Sequence, residues 1–297
     1  MRFTLLPRKK DTDKSSYGHA LVIAGSRTYP GAALLTAVSA LRAGAGLVTM
    51  ATCSSAHGAI LRRVPPEIMP VFLPETKKGS VSDRAFSIAM RTMVKRRVNV
   101  VALGPGLTHE PSTSRLVRKL VNHLDVPVVL DADGLNSFKG YLKALKSHSA
   151  PLVLTPHRRE FERLFKERVP VQVKKLTDLA KKLSKFYDVV LVLKGHKTLT
   201  VYHDKLVWNA TGNPGMAKGG SGDVLTGVIA AFIAQGLEPF QAAVWGVYFH
   251  GKAGDLAVRC KGELSLTASD LIDFLPKAFR ARRARLFSLV GKKHPCL

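Results

Sequence analysis

Apolar positions along this chain fall into two alternating patterns. Short, mostly apolar runs occur at 19–25, 47–51, 98–104, 127–131, 151–155 and 189–194. Between them the apolar residues recur every three or four positions: an alanine-rich stretch at 31–44, then 111–124 with Leu116, Leu120 and Leu124 on one face, then 157–165 and 176–186. The first pattern predicts strands buried on both faces, the second amphipathic helices. Residues 198–203 and 205–209 flank Asp204 as a hairpin would, and 222–235, 238–258 and 267–286 read as helices. Buried strands alternating with helices predict an α/β protein: a single three-layer α/β/α domain with a mostly parallel central sheet. No linker, repeat or low-complexity segment breaks residues 1–297, so one domain is expected across them, with none added at the N-terminal side.

In open parallel sheets, ligands bind beyond the carboxyl ends of the strands. Five short motifs fall at such predicted ends: Gly25-Ser26, Gly104-Pro-Gly-Leu107, Asp131-Ala-Asp133, Thr155-Pro-His157 and Lys194-Gly195. Each has an ordinary structural explanation, as a tight turn, a helix cap, a surface histidine or a solvated lysine. Asp131-Ala-Asp133 also suits water-mediated Mg²⁺ binding. Their shared placement is stronger evidence for a ligand site than any one of them.

The densest signal is Asn213-Pro-Gly-Met-Ala-Lys-Gly-Gly-Ser-Gly-Asp-Val-Leu-Thr-Gly, where four glycines (215, 219, 220 and 222) lead to Asp223 and then to a helical apolar pattern. Glycines let successive backbone N–H groups converge on one point, and the first N–H groups of a helix lack internal partners. The result is an anion site at the positive end of the helix dipole. A carboxylate placed there is a poor phosphate ligand. A free aspartate is ionised near neutral pH, so Asp223 is expected to accept a proton from a hydroxyl while the amides hold transferring charge. The plainer alternative is that Asp223 only caps the helix.

Composition narrows the classes. Apolar residues make up 46% and charged residues 23%, as in soluble globular chains. No secretory leader or run of membrane-spanning length is seen. Cys53, Cys260 and Cys296 form no Cys-x-x-Cys pair, which points to a reducing cytoplasm and away from disulfide or zinc frameworks. The dinucleotide fingerprint fails at Thr49 and His109, and no P-loop is present. A net charge of +25 exceeds what one anion site needs, but the basic clusters are dispersed and carry no nucleic-acid-binding motif. A basic solvated surface is expected, with no specific nucleic acid and no membrane as partner.

Gly212 to Gly227 closely resembles the hallmark segment of the ADP/ATP-dependent NAD(P)H-hydrate dehydratases, a family of the ribokinase-like superfamily. Gly31-Ala32, Arg42-Ala-Gly-Ala-Gly46, Pro66-Glu67, Gly104-Pro-Gly-Leu107, Asp131-Ala-Asp-Gly-Leu-Asn136, Leu154-Thr-Pro-His157 and Lys194-Gly195 follow in the family's order. The resemblance implies a ribokinase-like fold and a lyase that repairs hydrated NADH or NADPH. The hydrate's hydroxyl is phosphorylated from ADP (ATP in eukaryotic members), then phosphate leaves and the ring double bond returns.

It also implies roles. Asp223 would be the base. Ala32, Gly106, His157 and Asp223 would contact the (S)-hydrate, and Lys194, Gly195, His196, Lys197, Thr198 and Gly222 the adenine nucleotide. Gly220, Ser221 and Gly222 would form the anion hole, with Mg²⁺ on the nucleotide and no protein ligand for it assigned. A separate hydrate epimerase is the implied functional partner, and a homo-oligomer the implied assembly. This chain departs from the family where Pro-His-Pro-Gly-Glu becomes Pro156-His-Arg-Arg-Glu160 and Lys-Gly-Ala-Gly-Thr becomes Lys194-Gly-His-Lys-Thr198. Both changes add positive charge near the expected anion sites. A kinase of the same superfamily, acting on a vitamin-like alcohol, is the second reading.

Overall fold

The computed structural model describes residue 8 and residues 10–280. These residues form a nine-stranded sheet of order β3-β2-β1-β4-β5-β6-β7-β8-β9. The strands are β1 (His19–Ile23), β2 (Leu47–Cys53), β3 (Ile68–Leu73), β4 (Val100–Leu103), β5 (Val128–Leu130), β6 (Leu152–Leu154), β7 (Val189–Leu193), β8 (Leu199–Tyr202) and β9 (Lys205–Trp208). The pairings from β3 through β7 are parallel, and the β8–β9 hairpin adds an antiparallel edge. The chain runs outward from β1 in one direction and then from β4 in the other. The crevice between β1 and β4 is therefore the topological switch point, where ligands enter such sheets.

The helices are α1 (Pro30–Arg42), α2 (Ser54–Ile60), α3 (Phe86–Arg96), α4 (Pro111–His123), α5 (Asp133–Asn136), α6 (Arg158–Phe165), α7 (Val173–Tyr187), α8 (Ser221–Ala234), α9 (Pro239–Ser265) and α10 (Ala268–Arg280). Side chains alternate across each strand, so the sheet feeds two cores. Ala20, Val22, Val100, Ala102, Val129 and Val153 pack with α1, α8, α9 and α10. Leu21, Ile23, Val101, Leu103, Leu130 and Leu154 pack with α3, α4, α6 and α7 on the other side. Small residues on the first face let α8 lie close over β1, β4 and β5, which brings its N-terminus to the carboxyl ends of the central strands.

The predicted strands and helices are all present, with ends moved by a few residues. The predicted helix 267–286 is seen to Arg280, and its remainder, like Cys296, lies outside the described residues. Four elements escaped the pattern: β3, α2, α3 and the short α5. β3 carries Pro70 in its middle, which argues against a central strand. It is instead an edge strand, where one row of N–H groups needs no partner. α9 breaks at Gly262, whose φ is 71°. Among the described residues no helix is long and apolar enough to cross a membrane. Lys174, Lys175, Lys182 and Lys185 of the basic run on α7 are exposed, so that part of the positive charge is solvated surface.

Candidate active site

The centre of the site is a buried ion pair beneath the first turn of α8. Asp131 follows β5 directly and is 1% exposed, and Lys194 follows β7. Their side chains meet at 2.6 Å. Thr226, one turn into α8, donates to the other Asp131 oxygen at 2.8 Å. Burial pushes the Asp131 carboxyl up, but the Lys194 charge and the hydrogen bonds from Lys194 and Thr226 outweigh it and hold the group below its ordinary value. Burial also pulls the Lys194 ammonium down, and Asp131 and Glu160 more than reverse this. Both groups therefore stay charged. Asp131 does not cap α5 with its side chain, which corrects the capping role considered for it. The turn that separates it from Asp133 places Ala132 at φ 49°, ψ −117°, a strained conformation for a residue with a side chain. Asp133 is thereby aimed elsewhere and accepts from the Thr108 N–H at 2.8 Å.

Above this pair, α8 begins with Gly220 as its N-cap, and no side chain caps it. The first intrahelical bond runs from the Val224 N–H to the Gly220 carbonyl, at 3.1 Å. The amides of residues 220–223 precede it. Ser221 already donates to the Lys218 carbonyl over 3.4 Å, so Gly222 and Asp223 are the better anion donors of the first turn. The anion hole expected at Gly220, Ser221 and Gly222 lies in this uncapped turn, and the Asp223 amide adjoins it.

Asp223 occupies the third helical position. Burial first, and then the nearby Asp131 charge, raise its pKa from 3.8 to about 7, with Lys194 opposing. Full ionisation at neutral pH, expected from the free amino acid, is corrected: the Asp223 carboxyl titrates close to neutral pH. His250 on α9 braces the turn from behind. Its Nε2–H donates to the Ser221 carbonyl at 2.9 Å, and burial lowers its pKa to about 4, so it stays neutral.

The glycine-rich loop is pinned from one side. Asp255 of α9 accepts from the Gly212 N–H (3.0 Å) and from the Asn213 amide (3.1 Å). Gly251 and Gly254 present a bare strip of α9 to this loop, and a Cβ on them would lie 2.3 Å from Thr211 Oγ1 and 2.2 Å from Met216 Sδ. Asp255, His250 and Thr226 were not singled out from the sequence. Each acts on a partner distant along the chain, and the close glycine pair in α9 was the one local hint.

On the β1/β4 side, Gly106 (φ 64°) lies against α1. A Cβ there would sit 2.8 Å from the Ala32 Cβ, so these two expected hydrate contacts are neighbours. Gly104 (φ 127°) lets the loop run over Asp131, whose carbonyl oxygen would be 2.0 Å from an added Cβ. On the β7 side, Gly195, His196 and Lys197 are exposed, and the Thr198 hydroxyl closes the loop onto the Gly195 carbonyl at 3.2 Å. His157 is more than a surface histidine. Its Nδ1 accepts from the Arg159 and Glu160 N–H groups (3.1 and 3.3 Å), and Glu160 accepts from the His157 N–H (2.8 Å), a reciprocal cap of α6. Burial and the Lys194 charge hold its pKa down. Neutral His157 therefore carries its proton on Nε2, as a donor. Burial raises the Glu160 carboxyl. Arg158 turns away to Glu162 (3.3 Å) and the Val169 carbonyl (3.2 Å), while Arg159 adds to the charges that lower the His157 pKa.

Among the described residues no three His, Cys, Asp or Glu side chains converge as a metal cage. The carboxylates here suit an ion that keeps most of its waters and takes phosphate oxygens, as Mg²⁺ does.

A parallel sheet with its switch point at β1/β4, and a carboxylate on an uncapped helix N-terminus above it, define a ribokinase-like α/β protein. Within that class the chain belongs to the NAD(P)H-hydrate dehydratase family, whose model matches residues 20–277. It is 43% identical over 288 residues to the bifunctional NAD(P)H-hydrate repair enzyme of Moorella thermoacetica, covering 96% of this chain and 54% of that protein. The chain thus spans about half the length of that relative. It is 32% identical to the ADP-dependent (S)-NAD(P)H-hydrate dehydratase of Bacillus subtilis, covering 94% of this chain and 95% of that one. The crystal structure of the ADP/ATP-dependent NAD(P)H-hydrate dehydratase from Bacillus subtilis, co-crystallised with ATP/Mg²⁺, superposes with a TM-score of 0.79 at 31% identity, over 94% of this chain and 95% of that one.

Gly222 offers a direct test of the nucleotide side. A Cβ there would lie 3.2 Å from Lys194 Nζ and 3.6 Å from an Asp131 oxygen. Gly222→Val would push two further methyl groups between the helix turn and the ion pair. Calorimetric affinity for ADP is expected to fall about tenfold or more, the equivalent of losing one charge-assisted hydrogen bond. Unchanged affinity would remove Gly222 from the nucleotide site.

Proposed function

We propose that this chain restores NADH and NADPH from their (S)-hydrates, with ADP as phosphoryl donor. The observation that carries this reading is Asp223, a carboxylate with pKa about 7 at the uncapped start of α8, above the Lys194–Asp131 pair. In the first step Asp223 takes the proton of the hydrate's ring hydroxyl, and that oxygen attacks the terminal phosphorus of ADP. The bond to AMP breaks as the new P–O bond forms. The amides of Gly222 and Asp223, with the positive end of α8, lie where the transferring phosphoryl group gathers charge. In the second step the C–O bond to phosphate breaks, helped by the ring nitrogen's lone pair. A proton leaves the adjacent carbon, and the ring double bond returns. The products are the reduced dinucleotide, AMP and phosphate.

In this reading the hydrate ring lies by Ala32, Gly106 and His157, where the His157 Nε2–H can donate to it. The nucleotide lies along Lys194, Gly195, His196, Lys197 and Thr198. Mg²⁺ neutralises phosphate charge when bound, and Asp223 and Glu160 are the carboxylates that would hold its waters. We further propose a cytoplasmic setting, self-association into an oligomer, and a companion activity that interconverts the hydrate epimers. The bifunctional name of the longer Moorella relative supports that coupling.

The test is to mix protein, Mg²⁺ and hydrated NADH with ADP or ATP and follow the near-ultraviolet absorbance of reduced nicotinamide. Absorbance is expected to rise with ADP while free phosphate appears in equal amount. A product that keeps the phosphate would point instead to a kinase.

A further inference from the structure

One large feature of the rim takes no part in that chemistry. A cavity of about 600 Å³ opens on the α4 side, walled in part by His109, Arg115, Arg118, Lys139, Tyr141 and Arg163. No aspartate or glutamate lines it. One of its cations is matched from outside, Arg115 by Asp83 at 2.8 Å, and the His109 ring lies 3.3 Å from Asp133. The other three have no carboxylate partner among the described residues. Arg118 donates to the Ser137 carbonyl (2.6 Å) and lies 4.0 Å above the Tyr141 ring. Arg163 donates to the Asn136 side-chain oxygen at 2.6 Å. Lys139 is exposed, and no acceptor holds its ammonium among the described residues. Pro111 and Ser114, from the first turn of α4, complete the wall, and no side chain caps that helix. Its dipole adds to the positive field.

Three uncompensated cations around a concave, carboxylate-free space suit a phosphate monoester dianion, and two of them are the forked guanidinium groups best fitted to one. The cavity also adjoins the site. Asp133 pairs with His109 at the cavity edge and raises the Asp223 carboxyl, while Arg163 acts on both His157 and Glu160. A substrate with its ring at Asp223 and a second phosphorylated end would extend across Asp133 into the cavity. The Arg118–Tyr141 stack supplies a flat surface in the cavity wall.

We propose that this cavity receives the 2′-phosphate of NADPH hydrate and makes the chain selective for the phosphorylated dinucleotide. The assignment rests on the function proposed above. The measurement is kcat/KM for NADPH hydrate and for NADH hydrate, with MgADP, in the wild type, in Lys139→Glu and in the Lys139→Glu/Arg163→Gln double variant. The wild type is expected to favour NADPH hydrate. The ratio should fall about tenfold with the charge reversal and further in the double variant, mainly through KM. 2′,5′-ADP should compete with NADPH hydrate more weakly in the variants than in the wild type. An unchanged ratio, or equal losses on both hydrates, would overturn the assignment. If the wild type turned over neither hydrate, the function would fail and not the cavity. Calorimetry with 2′,5′-ADP then decides: binding weakened by Lys139→Glu upholds a 2′-phosphate site, and binding that is absent or unaffected rejects it.

Discussion

Asp223→Asn is expected to lower turnover by about 10²–10⁴, the range for losing a positioned base, while ADP still binds. The wild-type pH profile carries the same prediction. Because burial and the Asp131 charge hold Asp223 near 7, kcat/KM should rise with pH along a limb centred at about 7. That limb should disappear from the residual activity of the asparagine variant. A limb near the ordinary carboxylate value, or a variant keeping more than about a tenth of the activity, would exclude Asp223 as the base.

Stability moves the opposite way to activity. A carboxyl whose pKa is raised on folding contributes stability that is full below its unfolded value of 3.8 and is lost as pH rises through about 7. Asparagine has no such dependence. The variant should therefore melt above the wild type at about pH 8, with the gap narrowing toward about pH 4. At 1.36 kcal/mol per pKa unit the gap is on the order of 2–4 kcal/mol, allowing for partial solvation of the site. A more stable but inactive variant is what a strained catalytic carboxylate predicts, and a simple helix cap predicts the reverse.

The parts of this site that could be read from the sequence are local. Four glycines followed by one carboxylate and a helical pattern mark the start of α8 wherever it docks. The apolar runs mark the strands whose ends meet it. What stayed hidden depends on the fold closing. The Asp131–Lys194 contact joins residues 63 positions apart, and the Thr226–Asp131 bond spans 95. No spacing rule reaches that far. The pKa of Asp223 was misjudged for the same reason, since its shift is produced by burial and by charges arriving from β5, β6 and β7. His157 shows an intermediate case. The histidine and the glutamate three residues on were visible, but capping boxes are expected from serine or threonine, so the reciprocal cap was missed. β3 was lost because a proline within an apolar run reads as a break until the strand is known to be an edge.

Lys194→Met is the substitution expected to cost the fold most among the residues proposed to face the nucleotide. It removes the cation from a carboxylate that is 1% exposed and leaves Asp131 with the Thr226 hydroxyl but no countercharge. Breaking one side of a buried pair typically costs 3–5 kcal/mol, about what a marginally stable domain can spare. The sign of the pH dependence follows from the Asp131 shift. In the wild type its lowered pKa contributes stability above the unfolded value, lost as the solution is acidified through the folded one. Without Lys194 the carboxyl instead resists ionisation, so the damage should be greatest near neutral pH and ease toward about pH 4. Adding Asp131→Asn to Lys194→Met removes the stranded charge while keeping an acceptor for Thr226. The double variant should recover much of the lost melting temperature, a coupling of the kind expected for groups in contact. It should not recover ADP affinity, because the ammonium under Gly222 is still missing. A Lys194→Met protein that melts with the wild type would mean that the pair is solvated and weak. A double variant that regained ADP binding with its stability would mean that Lys194 serves only the fold.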